Sequence, residues 1–315
     1  MFTKRIFIFS LPRSGSTLLQ RYIMSCENIE TTSETWLLLS LLYSIEVDGI
    51  KAEYNQRKLT EAVEDFFRYK KIEKKQYYES IIDFYFKLYN TQYISEENCS
   101  KIIVEKTPRL SLVSDKLIEC SKNSHFVFLW RNPVDIINSM CETWAKGNWN
   151  IFHYYIDLYK SQKNNVETYL KYKNRSNVHS IKYEDFVSDE NLREKLLDDI
   201  GLEYSELNIN KAPLFGKMGD KTGIQKYKSI SSPKKENKIG SILRYFWIKR
   251  YIRYLKEIGF DDIYDTGEII KSYKISWRID VLIKDVFSFS YGYIYLATEP
   301  RVYLEKLKGR KGILG

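Results

Sequence analysis

The sequence predicts an α/β fold: a P-loop-like parallel β-sheet flanked by helices on both faces. Three observations carry that expectation. Short apolar, β-branched and aromatic runs alternate with stretches of helical periodicity. The first run passes through a glycine-containing loop straight into a helix, the opening half of a nucleotide-binding α/β unit. The runs themselves are nearly continuous in apolar character, as strands covered on both faces require.

Ile6 to Ser10 is the first buried strand, followed by the loop Leu11-Pro12-Arg13-Ser14-Gly15-Ser16-Thr17. Leu18, Leu19, Tyr22 and Ile23 then recur at helical spacing, and Trp36 to Ile45 reads as a second helix. From Leu59 to Tyr89, apolar and aromatic residues return every three or four positions among Lys and Glu, which predicts one or two amphipathic helices. Ile102-Ile103-Val104 and Phe126-Val127-Phe128-Leu129-Trp130 are the next two strands. Pro133 suits the first turn of a helix that runs to about Ala145. Val178 to Ile181 is a fourth strand, with a helix after it ending near Ile200-Gly201. Residues 205–237 are polar, Lys-rich and dotted with glycine, a long loop of the kind used as a lid or binding segment. Ile239 to Ile258 is expected to be helical, with Gly259 as its stop, and the tail from Phe260 is aromatic and irregular.

Composition narrows the function classes. Of 315 residues, 43% are hydrophobic, enough for a sizeable core and against wholesale disorder. Fifty Lys and Arg against 41 Asp and Glu give a net charge of +9, which favours an anionic partner without choosing among nucleotide, nucleic acid and membrane surface. Cys26, Cys99, Cys120 and Cys141 are dispersed with no CxxC pair, and His125, His153 and His179 are the only histidines, so neither a disulfide scaffold nor a multi-His metal centre is expected. The apolar stretch after Lys4 and Arg5 is too short for an export signal, and Lys284 and Asp285 interrupt the best candidate span, Val281 to Ala297; a cytoplasmic protein is expected.

Two segments carry chemistry. At the start of the first helix, unpaired backbone N–H groups and the helix dipole form an anion cradle. Ser14, Ser16 and Thr17 add hydroxyl donors there, and Arg13 adds a fixed charge. A nucleoside-triphosphate loop needs Lys directly after its second glycine; here Ser16 holds that place, which disfavours ATP or GTP. The second segment is Arg131-Asn132-Pro133-Val134-Asp135-Ile136-Ile137-Asn138-Ser139. Arg131 leaves a strand end, where open α/β sheets bind ligands. Ser139 lies at most about 12 Å on, so both residues can reach one phosphate; a plainer reading pairs Arg131 with Asp135.

Together these segments resemble the sulfotransferases that use 3′-phosphoadenosine 5′-phosphosulfate (PAPS). Leu11 through Leu19 looks like that family's 5′-phosphosulfate loop, and Arg131 through Ser139 like its 3′-phosphate motif, with Arg131 118 residues after Arg13. The resemblance runs from about Ile6 to Phe260 and has its closest motif spacing to the tyrosylprotein and carbohydrate branch. It implies a domain over 1–260, with a helical acceptor-side insertion at about 33–95, and an aromatic-rich extension over 261–315 packed on the same domain. Arg13, Ser14, Gly15, Ser16, Thr17 and Leu18 would hold the phosphosulfate, and Arg131 and Ser139 the 3′-phosphate. Tyr183, in Tyr183-Glu184-Asp185, would contact the nucleotide, as would Ser229 and Lys235.

Glu34, in Glu34-Thr35-Trp36, resembles the family's proposed general base, 21 residues after Arg13. Lys106, in Glu105-Lys106-Thr107-Pro108, resembles the lysine that holds the transferring group. The catalytic set implied is therefore Glu34, Arg13 and Lys106, with no metal and with the desulfated nucleotide (PAP) as product. The histidine base of the small-molecule branch has no counterpart, and His125 reads as structural. The acceptor implied is a small-molecule or carbohydrate hydroxyl, and no nucleic acid. The alternatives are a P-loop nucleotide kinase and a non-enzymatic protein binding RNA or a membrane surface through its charge. For the Tyr- and Phe-rich tail, core packing is expected, with peripheral membrane contact or an oligomer contact as the alternatives.

Overall fold

The computed structural model describes residues 4–47, 50, 52–89, 102–150, 154–203, 230, 238–269, 271 and 273–298. β1 (Lys4–Phe9) enters the glycine loop and α1 (Ser16–Ile23) leaves it. β2 (Ile29–Thr31) follows, a short strand that no run in the sequence marks. Next come α2 (Leu37–Tyr43), α3 (Gln56–Lys70) and α4 (Lys74–Tyr89). The long periodic stretch is thus two helices. The Asn55 side chain caps the first by accepting from the Lys58 N–H, and Lys71 ends it in a left-handed conformation with φ 55°.

β3 (Ile102–Glu105) leads through a 3₁₀ turn at Pro108–Val113 to α5 (Ser114–Cys120). β4 (Ser124–Trp130) and α6 (Pro133–Ala145) then meet at an Asn-Pro junction, where the Asn132 side chain accepts from the Val134 N–H at 3.0 Å. A π-type turn, Ile156–Ser161, opens α7 (Gln162–Tyr172). β5 (Val178–Lys182), α8 (Tyr183–Ser188) and α9 (Glu190–Ile200) complete the series, and Gly201 closes α9 at φ 69°.

The first five strands form one parallel sheet in the order β2-β3-β1-β4-β5, so the chain first moves one way from β1 and then crosses it to the other side. Side-chain alternation splits the core between two faces. Phe7, Phe9, Phe126 and Phe128 point to one, where Leu38, Ile82, Leu117, Ile137, Val166 and Tyr251 cover them; the Phe7 and Phe126 rings stack at 5.5 Å. Ile6, Ile8, Val127 and Leu129 point to the other, against Leu19, Tyr22, Phe186 and Leu197. Helices therefore cover both faces, as the sequence predicts.

The C-terminal part departs from expectation. Ile239 belongs to β6 (Lys238–Gly240), and the helix, α10 (Ile242–Glu257), starts only after Ser241, whose hydroxyl caps it. The tail is not irregular. After α11 (Thr266–Ile269) and β7 (Lys274–Ile275), which pairs in parallel with β6, it forms the twenty-residue α12 (Ile279–Thr298). Asp285, which interrupts the apolar run in the sequence, is fully buried against α10. There it accepts from Arg244 Nε at 2.7 Å and Nη2 at 2.6 Å, and from the Ser241 hydroxyl. Among the described residues no helix is long and apolar enough to cross a membrane.

Candidate active site

Parallel pairing brings five strand ends to one edge of the sheet, and the expected site residues follow them in sheet order. Glu34 lies three residues past β2, Lys106 directly follows β3, the glycine loop follows β1, Arg131 follows β4, and Tyr183 follows β5. At about 4.8 Å per strand, Lys106 and Arg131 start two spacings, or about 10 Å, apart. This is the crevice in which open parallel sheets hold ligands.

The two anion motifs touch each other. Arg131 Nη1 donates to the Arg13 carbonyl at 2.8 Å, and Arg13 Nε donates to Ser139 Oγ at 3.1 Å. Arg131 is not paired with Asp135, which instead accepts from the Tyr273 hydroxyl at 2.6 Å. The Arg131 guanidinium lies 4.3 Å from the centre of the Tyr183 ring, a cation–π contact. Tyr183 also presses on the glycine loop: a Cβ at Gly15 would sit 2.4 Å from its ring, and Gly15 has φ 92°, so only glycine fits. Arg13, at φ 68°, is held in the same left-handed region, an arrangement that costs energy for a non-glycine residue and marks a constrained site.

Two buried polar atoms at this junction, Ser14 Oγ and Arg131 Nε, have no hydrogen-bond partner among the described residues. Leaving such groups unpaired costs about 1–3 kcal/mol each; an anion at the α1 terminus would relieve Ser14 Oγ, and one beside Arg131 would relieve its Nε. The Asn132 N–H donates to Glu184 Oε1 at 3.0 Å, which ties the turn after β4 to the start of α8.

At the other end of the row, Lys106 Nζ donates to Glu34 Oε1 at 2.9 Å, with the side chains only 2% and 14% exposed. Beneath them lies the fully buried Glu105, whose carboxyl is raised above the usual range by burial. It accepts from the Tyr85 hydroxyl, from Thr107 Oγ1 at 2.8 Å and, at the longer distance of 3.4 Å, from the Tyr89 hydroxyl. The Tyr85 hydroxyl also meets Thr35 Oγ1 at 3.0 Å, and the Tyr89 hydroxyl meets Thr32 Oγ1 at 3.2 Å. Glu34 and Lys106 are thus held through their chain neighbours by one buried hub.

Trp36, with φ 57°, turns the chain into α2, and the Arg109 guanidinium lies 5.7 Å from its ring. Arg109 in turn makes two bonds to the buried Asp157, at 2.8 and 3.0 Å. His125 lies at the start of β4, as expected, and meets His179 at the opposite end of that strand from Arg131. Ser229 and Lys235 lie outside the described residues, as do His153 and all but Ile230 of the loop at 205–237. Among the described residues no group of three His, Cys, Asp or Glu side chains is placed to hold a metal ion.

A family model described as the sulfotransferase family matches residues 5–206, close to two thirds of the chain. The chain belongs to the sulfotransferase family. That family is not the nucleotide kinase of the alternative reading. This sulfotransferase is 28% identical over 139 residues to the nodulation protein NoeE of Sinorhizobium fredii, a stretch that is 44% of this chain and 31% of that protein. It therefore spans about a third of the curated relative it matches.

Among solved structures, it is similar to the sulfotransferase domain of the Synechococcus PCC 7002 olefin synthase, at 17% identity and a TM-score of 0.48, covering 80% of this chain and 95% of that one. It is also similar to mouse sulfotransferase SULT7A1 complexed with PAP, at 17% identity and a TM-score of 0.38, covering 87% and 90%.

Within the candidate site, the sequence did not point to the hub. Tyr85 and Tyr89 are spaced i, i+4 on α4, but nothing local says that this face meets the end of β3.

Proposed function

We propose that the protein transfers the sulfuryl group of PAPS to an acceptor hydroxyl, with Glu34 as general base. The observation that carries this reading is the order of groups along the strand ends: a carboxylate–ammonium pair at one end and a double-arginine cradle at the other. A donor with phosphosulfate at one end and a 3′-phosphate at the other matches that row. Arg131, Ser139 and Tyr183 hold the 3′-phosphate and its nucleoside. Ser14, Gly15, Ser16, Thr17 and Leu18 wrap the phosphosulfate with hydroxyls and the α1 amides. Ser229 and Lys235 complete the nucleotide contacts in this reading.

The chemistry is an in-line displacement, by analogy with phosphoryl transfer. The acceptor oxygen forms a bond to sulfur as the bond from sulfur to the leaving phosphate oxygen breaks, and the acceptor proton goes to Glu34. Charge growing on the leaving oxygen meets Lys106, Arg13 and the loop N–H groups. Lys106 has three N–H donors, so it can keep Glu34 in place with one and meet the transferring group with another.

The acceptor class we infer is a carbohydrate or glycolipid hydroxyl. A carboxylate base suits a hydroxyl. We infer a cytoplasmic site of action. Cys26, Cys120 and Cys141 are buried free thiols, and burial pushes Cys26 up to about 11 and Cys141 up to about 12.

Glu34→Gln tests the assignment. Turnover with ³⁵S-labelled donor should fall roughly a hundredfold or more. PAP affinity, read by calorimetry, should stay within a factor of a few, and the thermal midpoint controls for folding. Parallel loss of PAP affinity and turnover would remove Glu34 from the base role.

A further inference from the structure

The exposed side of α12 is apolar where a surface helix is ordinarily polar. Ile279, Ile283, Val286, Phe287, Tyr291 and Ile294 are all exposed, with Phe287 at 72%, and they recur at three-, four- and one-residue steps. They therefore form one stripe along about 22 Å of helix. Trp277, 80% exposed, stands just ahead of it. The helix is not displaced from the fold, because its opposite side is anchored by the buried Asp285–Arg244 pair and by Phe289 stacked on Trp149 at 6.3 Å. Single exposed apolar residues need no explanation, but six on one face of a helix do, with only Asp280 and Ser290 exposed among them.

Charge decides among occupants. Lys284 is exposed on α12, and Lys274 is exposed on β7. Acidic groups around the stripe are engaged: Asp280 with Arg278 at 2.7 Å, and Asp285 with Arg244. The sequence after the helix continues with Arg301, Lys306, Lys308, Arg310 and Lys311 against only Glu299 and Glu305. An aliphatic and aromatic stripe beside cations is the chemistry of a monolayer surface rich in anionic headgroups. A second copy of this chain would bring the same cations against themselves.

We propose that α12 docks the protein on an anionic lipid surface as a peripheral, non-spanning contact. The inference is independent of the proposed chemistry and holds whatever the acceptor is.

Sedimentation of the full chain with vesicles tests it, using phosphatidylcholine alone and phosphatidylcholine mixed with phosphatidylglycerol. Binding to the mixed vesicles is expected, reduced severalfold by raised salt and by about fivefold in Lys284→Glu. Phe287→Ser, on an exposed face, should fold normally and lower partition at least tenfold. Three results would overturn the proposal. The first is no association with either vesicle. The second is a dimer in light scattering that Phe287→Ser dissociates, which assigns the stripe to a second copy. The third is a lowered thermal midpoint in Phe287→Ser without vesicle binding, which shows the stripe covered by the chain itself.

Discussion

Glu105 touches neither the base nor the nucleotide cradle through its own side chain, yet the geometry of the Glu34–Lys106 pair runs through it. Its carboxyl takes bonds from Tyr85 and Thr107, and Tyr85 reaches Thr35, the residue after Glu34. Glu105→Gln keeps the shape but turns one acceptor into a donor facing hydroxyls, a mismatch worth about 1–3 kcal/mol. We expect turnover to fall about ten- to a hundredfold through misplacement of the pair, with PAP affinity unchanged. Tyr85→Phe, which removes the link to Thr35 at nearly constant volume, should reproduce part of that loss. A fall in PAP affinity matching the fall in turnover would make Glu105 a support of the whole fold instead of a positioning residue. The places of Arg13, Arg131 and Glu34 at the strand ends were legible in the sequence because each sits in a local motif. Glu105 was quoted within one of those motifs, but its role was not legible, since its partners on α4 lie 16 and 20 residues earlier in the chain.

Elements were legible where their signals are local. The junctions of β1 with α1 and of β4 with α6 carry their own glycine, asparagine and proline, and the structure keeps them where the sequence put them. β2 escaped notice because Ile29-Glu30-Thr31 becomes a strand only by pairing with β3, whose partners lie 73 residues on. α12 was hidden because Asp285 looked like an interruption until Arg244 was seen beside it.

The pairing of β4 with β5 also sets a pH dependence. His125 Nδ1 and His179 Nε2 lie 3.0 Å apart with stacked rings, near Lys4 on β1 and Asp199 on α9. Burial, helped by Lys4 and His179, pushes His125 down to about 4 from its ordinary 6.5. Between those values the unfolded chain binds the proton and the folded one does not, so stability rises with pH across the window and is lost as pH falls through it. Urea midpoints taken from pH 7 down to 4.5 should fall, and His125→Gln should flatten the slope. An identical slope in both proteins would clear the pair of any part in it.

At the scale of the whole molecule, the net charge of +9 says only that an anion is welcome; the meeting of Arg13, Arg131 and Tyr183 says where. These residues come from three strand ends spread over 170 positions of sequence, so a ligand that engages all three crosslinks the fold. At a hundred times its Kd, such a ligand adds about 2.7 kcal/mol to stability. At about 2 °C per kcal/mol for a chain of this size, the thermal midpoint should rise by roughly 5 °C with PAP. ATP carries more charge at its 5′ end but no 3′-phosphate for Arg131 and Ser139, so its shift should be much smaller at matched concentration. Arg131→Ala should erase most of the PAP shift while changing the ATP response little, because the 5′ cradle built on Ser14 and the α1 terminus remains. Raised salt should shrink both shifts, since screening weakens the attraction of a half-buried cationic site for a charged ligand. Equal shifts from PAP and ATP, or a PAP shift that survives Arg131→Ala, would mean that the second arginine does not read the 3′-phosphate. The paired cradle would then be one phosphate site and a structural strut, and the donor assignment would fall with it.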